Sequence, residues 1–146
     1  MEHDYDIPRV TDIAEKVLDG LVPEGQIGTA RAPVYDLYQD MDVYEQVDES
    51  DFDFILLKRR LGYLDQNSFT DIAGLEVQTF AKTVDRAEDL MEAVTKRLLE
   101  AEYTTVDGFQ IDYVEILNGP EEGYPEVMDD RMVEKNFELQ IRVRWH

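Results

Sequence analysis

The side chains that could do chemistry in this sequence are carboxylates and little else. It holds 34 acidic residues against 14 basic ones, with two histidines and no cysteine. Without cysteine there is no thiolate nucleophile, no thiolate zinc site and no disulfide framework. His3 and His146 lie at the two extremities of the sequence, where a general base or metal ligand would be poorly held. Adjacent acids at Glu121-Glu122 and Asp129-Asp130 are of the type used in glycoside hydrolysis, but neighbouring carboxylates in a surface loop are ordinarily just solvated. The run Asp36, Asp40, Asp42, Glu45 invites a calcium reading. Counted from Asp36, however, position three is Tyr38 and position six is Met41, where a calcium loop needs a ligand and a glycine. No glycine-rich phosphate loop, nucleophile elbow or HExxH pattern occurs. The expectation is a protein that is not an enzyme and carries no cofactor and no metal.

A net charge of −20 argues against broad binding to phosphate backbones or anionic membranes. The acidic opening lacks the apolar stretch of a signal peptide, and the longest apolar run, Phe54-Ile55-Leu56-Leu57, is far below the roughly 20 residues of a membrane span. Between Asp36 and Asp53 there are 8 acids and no Lys or Arg, interleaved with Tyr38, Val43 and Tyr44. An aromatic and acidic loop, about residues 30–53, orders against a partner more readily than a plain linker would.

The elements that must position these groups are legible as periodicities. Ile7, Val10, Ile13, Ala14, Val17 and Leu18 predict a helix over 7–19, with Asp6 as N-cap, Pro8 in its first turn and Gly20 closing it. Residues 22–52 read as loop, with at most one short strand near Gln26–Arg31. Strands follow at 53–64 and 72–82, joined by a turn at Asp65-Gln66-Asn67-Ser68. Thr83 then precedes a helix whose stripe is Ala87, Leu90, Met91, Val94, Leu98 and Ala101. Asp107-Gly108 marks a hairpin turn, and a phase switch between Tyr113 and Val114 marks a bulge in the next strand. Residues 118–131 read as loop. The last strand runs from Phe137 to Trp145, with Trp145 in phase with the core and Arg142 and Arg144 on the reverse face beside Glu138. The plan is α+β: one domain over residues 1–146, with a mostly antiparallel sheet of about four to five strands, two helices on one face and the long acidic loop.

This order and spacing resemble the tail terminator, or tail-completion, proteins of long-tailed bacteriophages. The likeness is carried by the strand Leu75–Lys82, the helix Val84–Glu102, the strand Phe109–Leu117, the Gly119-Pro120 loop with Asp129 and Asp130, and the ending Phe137–Arg144. The first helix and the strands from Phe54 fit more loosely, and Asp36–Asp53 has no counterpart. The resemblance implies a virion structural protein assembled in the host cytoplasm and placed at the tail or neck. It implies a ring, usually of six copies, that caps the tail tube, stops its polymerisation and meets the head-side connector. The implied partners are itself, the tail tube protein and the head–tail connector protein, with DNA passing through unbound and no membrane. A neck connector or stopper, and an acidic DNA mimic, are the alternatives.

The residues expected at a subunit or partner interface are Tyr35, Tyr38, Asp40, Asp42 and Tyr44 of the acidic loop, Lys58, Arg59 and Arg60 of the only basic triplet, and Arg142 and Arg144. In a closed ring each copy would offer the basic triplet and receive the acidic loop of its neighbour. Edge protection and cross-strand ion pairs are the competing readings of these bases. A contact of the first kind weakens on reversing all three of Lys58, Arg59 and Arg60 to Glu; an unchanged oligomer mass by light scattering counts against it.

Overall fold

The computed structural model describes residues 5–29, 49–123 and 132–145, with backbone alone for Glu49 and residues 118–123. The elements are β1 (Tyr5–Asp6), α1 (Val10–Val17), β2 (Ile27–Gly28), a 3-10 turn (Glu49–Phe52), β3 (Phe54–Asp65) and β4 (Thr70–Phe80). They continue with α2 (Val84–Glu100), β5 (Thr105–Val106), β6 (Phe109–Gly123), β7 (Met132–Arg142) and β8 (Arg144–Trp145). Six strands form one sheet in the order β2-β3-β4-β7-β6-β5, and β1 with β8 forms a separate two-stranded ribbon. Among the described residues only the β2–β3 pair is parallel. The α+β class and the two helices stand as expected, but the sheet has more strands than the four to five foreseen. β2 falls within the short strand expected at Gln26–Arg31; β5 in the sheet and the β1–β8 ribbon are the additions, and these strands are two residues each, too short to show any alternation in sequence.

Alternation decides the layers. Ile55, Leu57, Ala73, Leu75, Val77, Phe137, Leu139 and Ile141 share one face and join Val10, Ile13 and Ala14 of α1 and the Ala87–Leu98 stripe of α2 in a single apolar cluster. Leu56, Phe80 and Met132 make a smaller cluster with Phe54 on the opposite face. Both helices therefore cover the same side of the sheet, and most of the other side carries polar residues.

Local chemistry explains the element ends. The Thr83 hydroxyl accepts from the Arg86 N–H and caps α2. Arg97 of α2 donates to the carbonyls of Val17 and Asp19, closing the C-terminal end of α1. Asp107 and Gly108 both adopt positive φ (56° and 83°), as a two-residue hairpin between β5 and β6 requires. The first helix departs from expectation. It begins at Val10 behind Arg9, with no side-chain cap, because Asp6 is drawn into β1 opposite Arg144.

The foreseen bulge in β6 is present, between Ile111 and Tyr113, and further register shifts follow at Ile116/Asn118 and Asn118/Glu121. These shifts correct the expected loop at 118–131, since β6 continues to Gly123. A bulge leaves residues unpaired, so Gly119-Pro120 is tolerated inside a strand. Residues 124–131 lie outside the described residues, as do 30–48 of the expected acidic loop. The final strand is also corrected. It starts at Met132 and breaks at Val143, whose N–H donates to Phe69 O. Trp145 is not core: it is 55% exposed and packs with Tyr5 and Phe69 at ring-centroid distances of 5.2 and 4.8 Å.

This placement separates two aromatic residues that the sequence puts in one phase. Phe137→Ala should cost about 3–5 kcal/mol in chemical denaturation, and Trp145→Ala about 1 kcal/mol or less because half of its surface already meets water.

Candidate functional site

Lys58, Arg59 and Arg60 follow the buried start of β3, where the pattern passes from core to exposed. Their fates differ. Arg59 donates two bonds to the buried Asp71, both at 2.9 Å. Arg60 pairs with Glu76 on the face away from the helices. Hydrogen bonding to Asp71 and Glu76 pushes the pKa values of Arg59 and Arg60 upward, so both stay charged at any accessible pH. Lys58 lies opposite Glu76 in register, yet among the described residues it has no ion pair. The triplet is thus two intramolecular clamps and one available cation, and reversing all three bases would also break bonds inside the subunit. Tyr35, Tyr38, Asp40, Asp42 and Tyr44, its expected counterparts, lie outside the described residues.

Glu76 is 2% exposed, and its Oε2 has no hydrogen-bond partner among the described residues. Nothing in the sequence signals its burial, which follows from its position on a central strand with Arg60 paired to it.

Arg142 and Arg144 are not brought together with the triplet and do not pair with Glu138. Arg142 bonds Asp112 at 2.7 Å, at the β6 bulge. Arg144 bonds Asp6 at 2.6 Å and Asp107 O at 3.0 Å, with its guanidinium 4.9 Å from the Phe109 ring centroid. Cross-strand ion pairing, one of the two readings of these residues, is what the geometry contains, and the acids involved lie on strands and turns far away in sequence.

Three surface features were not foreseen. Leu61 is 99% exposed and Tyr63 64% exposed on the bulged half of β3. Leu117, beside the second register shift of β6, is 54% exposed. Glu115 and Glu138 face each other directly across β6 and β7 without an ion pair among the described residues. The signal for Leu61 was available: an apolar residue following three cations and preceding Gly62, on a strand at the sheet edge. An open acidic cleft is lined by Asp12, Glu15, Asp19, Glu24 and Asp107, where Lys16 reaches Asp107 at 2.6 Å. Among the described residues no group of three His, Cys, Asp or Glu is arranged to hold a metal, and no helix is long and apolar enough to cross a membrane.

These features have the character of binding surfaces: edges, exposed apolar residues and charges of both signs. A family model described as phage tail termination protein matches residues 6–144. The chain belongs to that family. The match takes in α1, β2 and the acidic stretch as well as the second half, so it reaches well beyond the segment that carried the resemblance. No curated protein shows significant similarity to the chain.

One further cation is held inside the subunit without an ion pair among the described residues. Lys135 of β7 is buried beneath α2, donating to Thr95 Oγ1 at 2.9 Å with its Nζ 5.8 Å from the Phe137 ring centroid. Desolvation lowers its pKa from the ordinary 10.5. At neutral pH the folded protein therefore bears the cost of a buried cation. Lys135→Met should raise stability by about 1 kcal/mol. The unfolded chain holds this proton more tightly, so wild-type stability gains on the variant as pH rises from neutrality toward 10.5. Denaturant titrations of both proteins across that range check this, and a constant difference would contradict it.

Proposed function

We propose that this tail termination protein forms a ring, of six copies, that caps the tail tube, ends its polymerisation and presents a surface to the head-side connector. The match to the tail termination family over residues 6–144 carries the reading. The edges and exposed apolar residues support it, since a chain that acts by assembling must leave surface for its neighbours. No catalytic step is part of the role, and its partners are further copies of itself, the tube protein and the connector protein. Its place is the virion tail, reached after assembly in the host cytoplasm.

The charge fits the passage of DNA. A chain of net −20 arranged around a channel repels phosphate and offers no release of counterions to drive adhesion. DNA would then slide past without being held.

Particles produced without this chain should carry tails of irregular, excessive length that fail to join heads, and adding the purified protein should restore joining. Imaging of intact particles should place it at the head-proximal end of the tube; finding it at the distal tip would overturn the role. In a mobility-shift assay at low salt, duplex DNA should run unretarded.

A further inference from the structure

The two long edges of the sheet are open over opposite halves of the same problem. Among the described residues β2 covers the outer side of β3 only as far as Leu56, leaving Leu57–Asp65 without a strand neighbour. On the other edge, β5 and residues 103–104 cover β6 up to Ile111, and Glu102 Oε1 accepts from the Val114 N–H at 3.4 Å. From Glu115 to Gly123 that outer side has no strand neighbour among the described residues.

The edges differ in charge. Apart from Arg59 and Arg60, which are paired within the subunit, the open part of β3 carries Lys58 and Asp65, and the open part of β6 carries Glu115 beside Glu138. Each also presents apolar side chains, Leu61 and Tyr63 on one and Ile116 and Leu117 on the other, which is unusual on an edge protected against association. Register places them at one level. Following the pairs across the sheet, Lys58 leads through Glu76 and Asn136 to Asn118, Arg59 through Leu75 and Phe137 to Ile116, and Arg60 through Gly74 and Glu138 to Glu115. β3 and β6 run antiparallel, because each step from β3 through β4 and β7 to β6 reverses direction.

We infer that a second copy of this chain docks edge to edge, the β3 edge of one against the β6 edge of the next in antiparallel fashion. The inference rests on the ring proposed above and names its contact. A rotation that sets these edges side by side needs no shift along the strands, so the contact is head-to-tail and closes. It brings Arg60 opposite the neighbour's Glu115 and Lys58 on its diagonal, within reach of a long side chain. The like-charge pair Glu115–Glu138, unfavourable in the isolated subunit, then gains the cation it lacks. Leu61 and Tyr63 lose water against the neighbouring strand.

Lys58 is the informative position, since it breaks no internal ion pair. Lys58→Glu and Glu115→Lys should each weaken self-association about tenfold or more in sedimentation, and the double variant, which restores opposite signs on the 58–115 diagonal, should recover part of the loss. The absence of native cysteine allows a second readout. Lys58→Cys with Leu117→Cys in one chain, treated with a short bismaleimide, should give a ladder of linked copies, while either substitution alone gives none. The reaction is run on purified protein and on assembled particles. Dimers from a single substitution, or no ladder in either preparation, would overturn the edge contact. Absence of the chain from particles would instead remove the proposed function, leaving the contact to be judged on the purified protein.

Discussion

The fold hangs on the ladder between β4 and β7. Eleven positions of each strand pair without interruption, from Thr70 with Arg142 to Phe80 with Met132. The strands on either side are longer than the path they follow. β3 has 12 residues and β6 has 15, and the surplus appears as a register shift at Arg60/Tyr63 and as three shifts along β6. A strand with extra residues bends and twists more strongly than its partner, so a straight central pair between two bulged strands gives a curled sheet. Gly62 shows how close this approach is. A Cβ there would come within 2.2 Å of Ile72 O, which excludes any side chain unless the backbone moves.

Curling carries a second consequence, since the central ladder buries polar residues along with apolar ones. Asp71 and Glu76 on β4 and Lys135 on β7 are all nearly inaccessible. The two acids recruit Arg59 and Arg60 from the edge strand, while Asp53 at the entry to β3 takes two bonds of 2.8 Å from Arg86 of α2. Exposed ion pairs add little energy, but bonds to buried carboxylates fix side chains whose loss would leave a charge uncompensated. Among the described residues the arginines Arg59, Arg60, Arg86, Arg97, Arg142 and Arg144 are committed to holding the protein's own edges and helix ends in place, and Lys58 is in no ion pair there.

What the sequence revealed follows from how many residues each signal spans. The stripe from Ala87 to Ala101 and the Asp107-Gly108 turn each rest on several residues or on a specific backbone requirement and are found where expected, and the β6 phase switch at Tyr113/Val114 marks a bulge that lies just before it, between Ile111 and Tyr113. Two-residue strands have no period, so β1 and β8 were invisible, and with them the fates of Asp6 and Trp145. Gly119-Pro120 reads as loop chemistry because nothing local reveals that β7 lies alongside with matching bulges. The candidate surface was legible only in part. The basic triplet stood out by composition, but its division into two clamps and one available charge depends on Asp71 and Glu76, brought near by the hairpin. The acidic and aromatic loop residues expected as its counterpart lie outside the described residues, and the counterpart inferred above is the β6 edge with Glu115, which the sequence reads as an ordinary core strand.

Assembly of so acidic a chain has to overcome repulsion between whole subunits. That repulsion acts over distances at which salt screens it, with a Debye length of about 8 Å at physiological ionic strength. A contact built from exposed leucines, strand hydrogen bonds and closely opposed charges acts at shorter range and is screened far less. Screening would therefore remove more of what opposes the proposed ring than of what holds it, whereas it removes the main attraction in any complex of protein with DNA. The same surplus of carboxylates can thus keep free subunits apart, permit them to close once neighbours are in register, and leave DNA nothing to hold to.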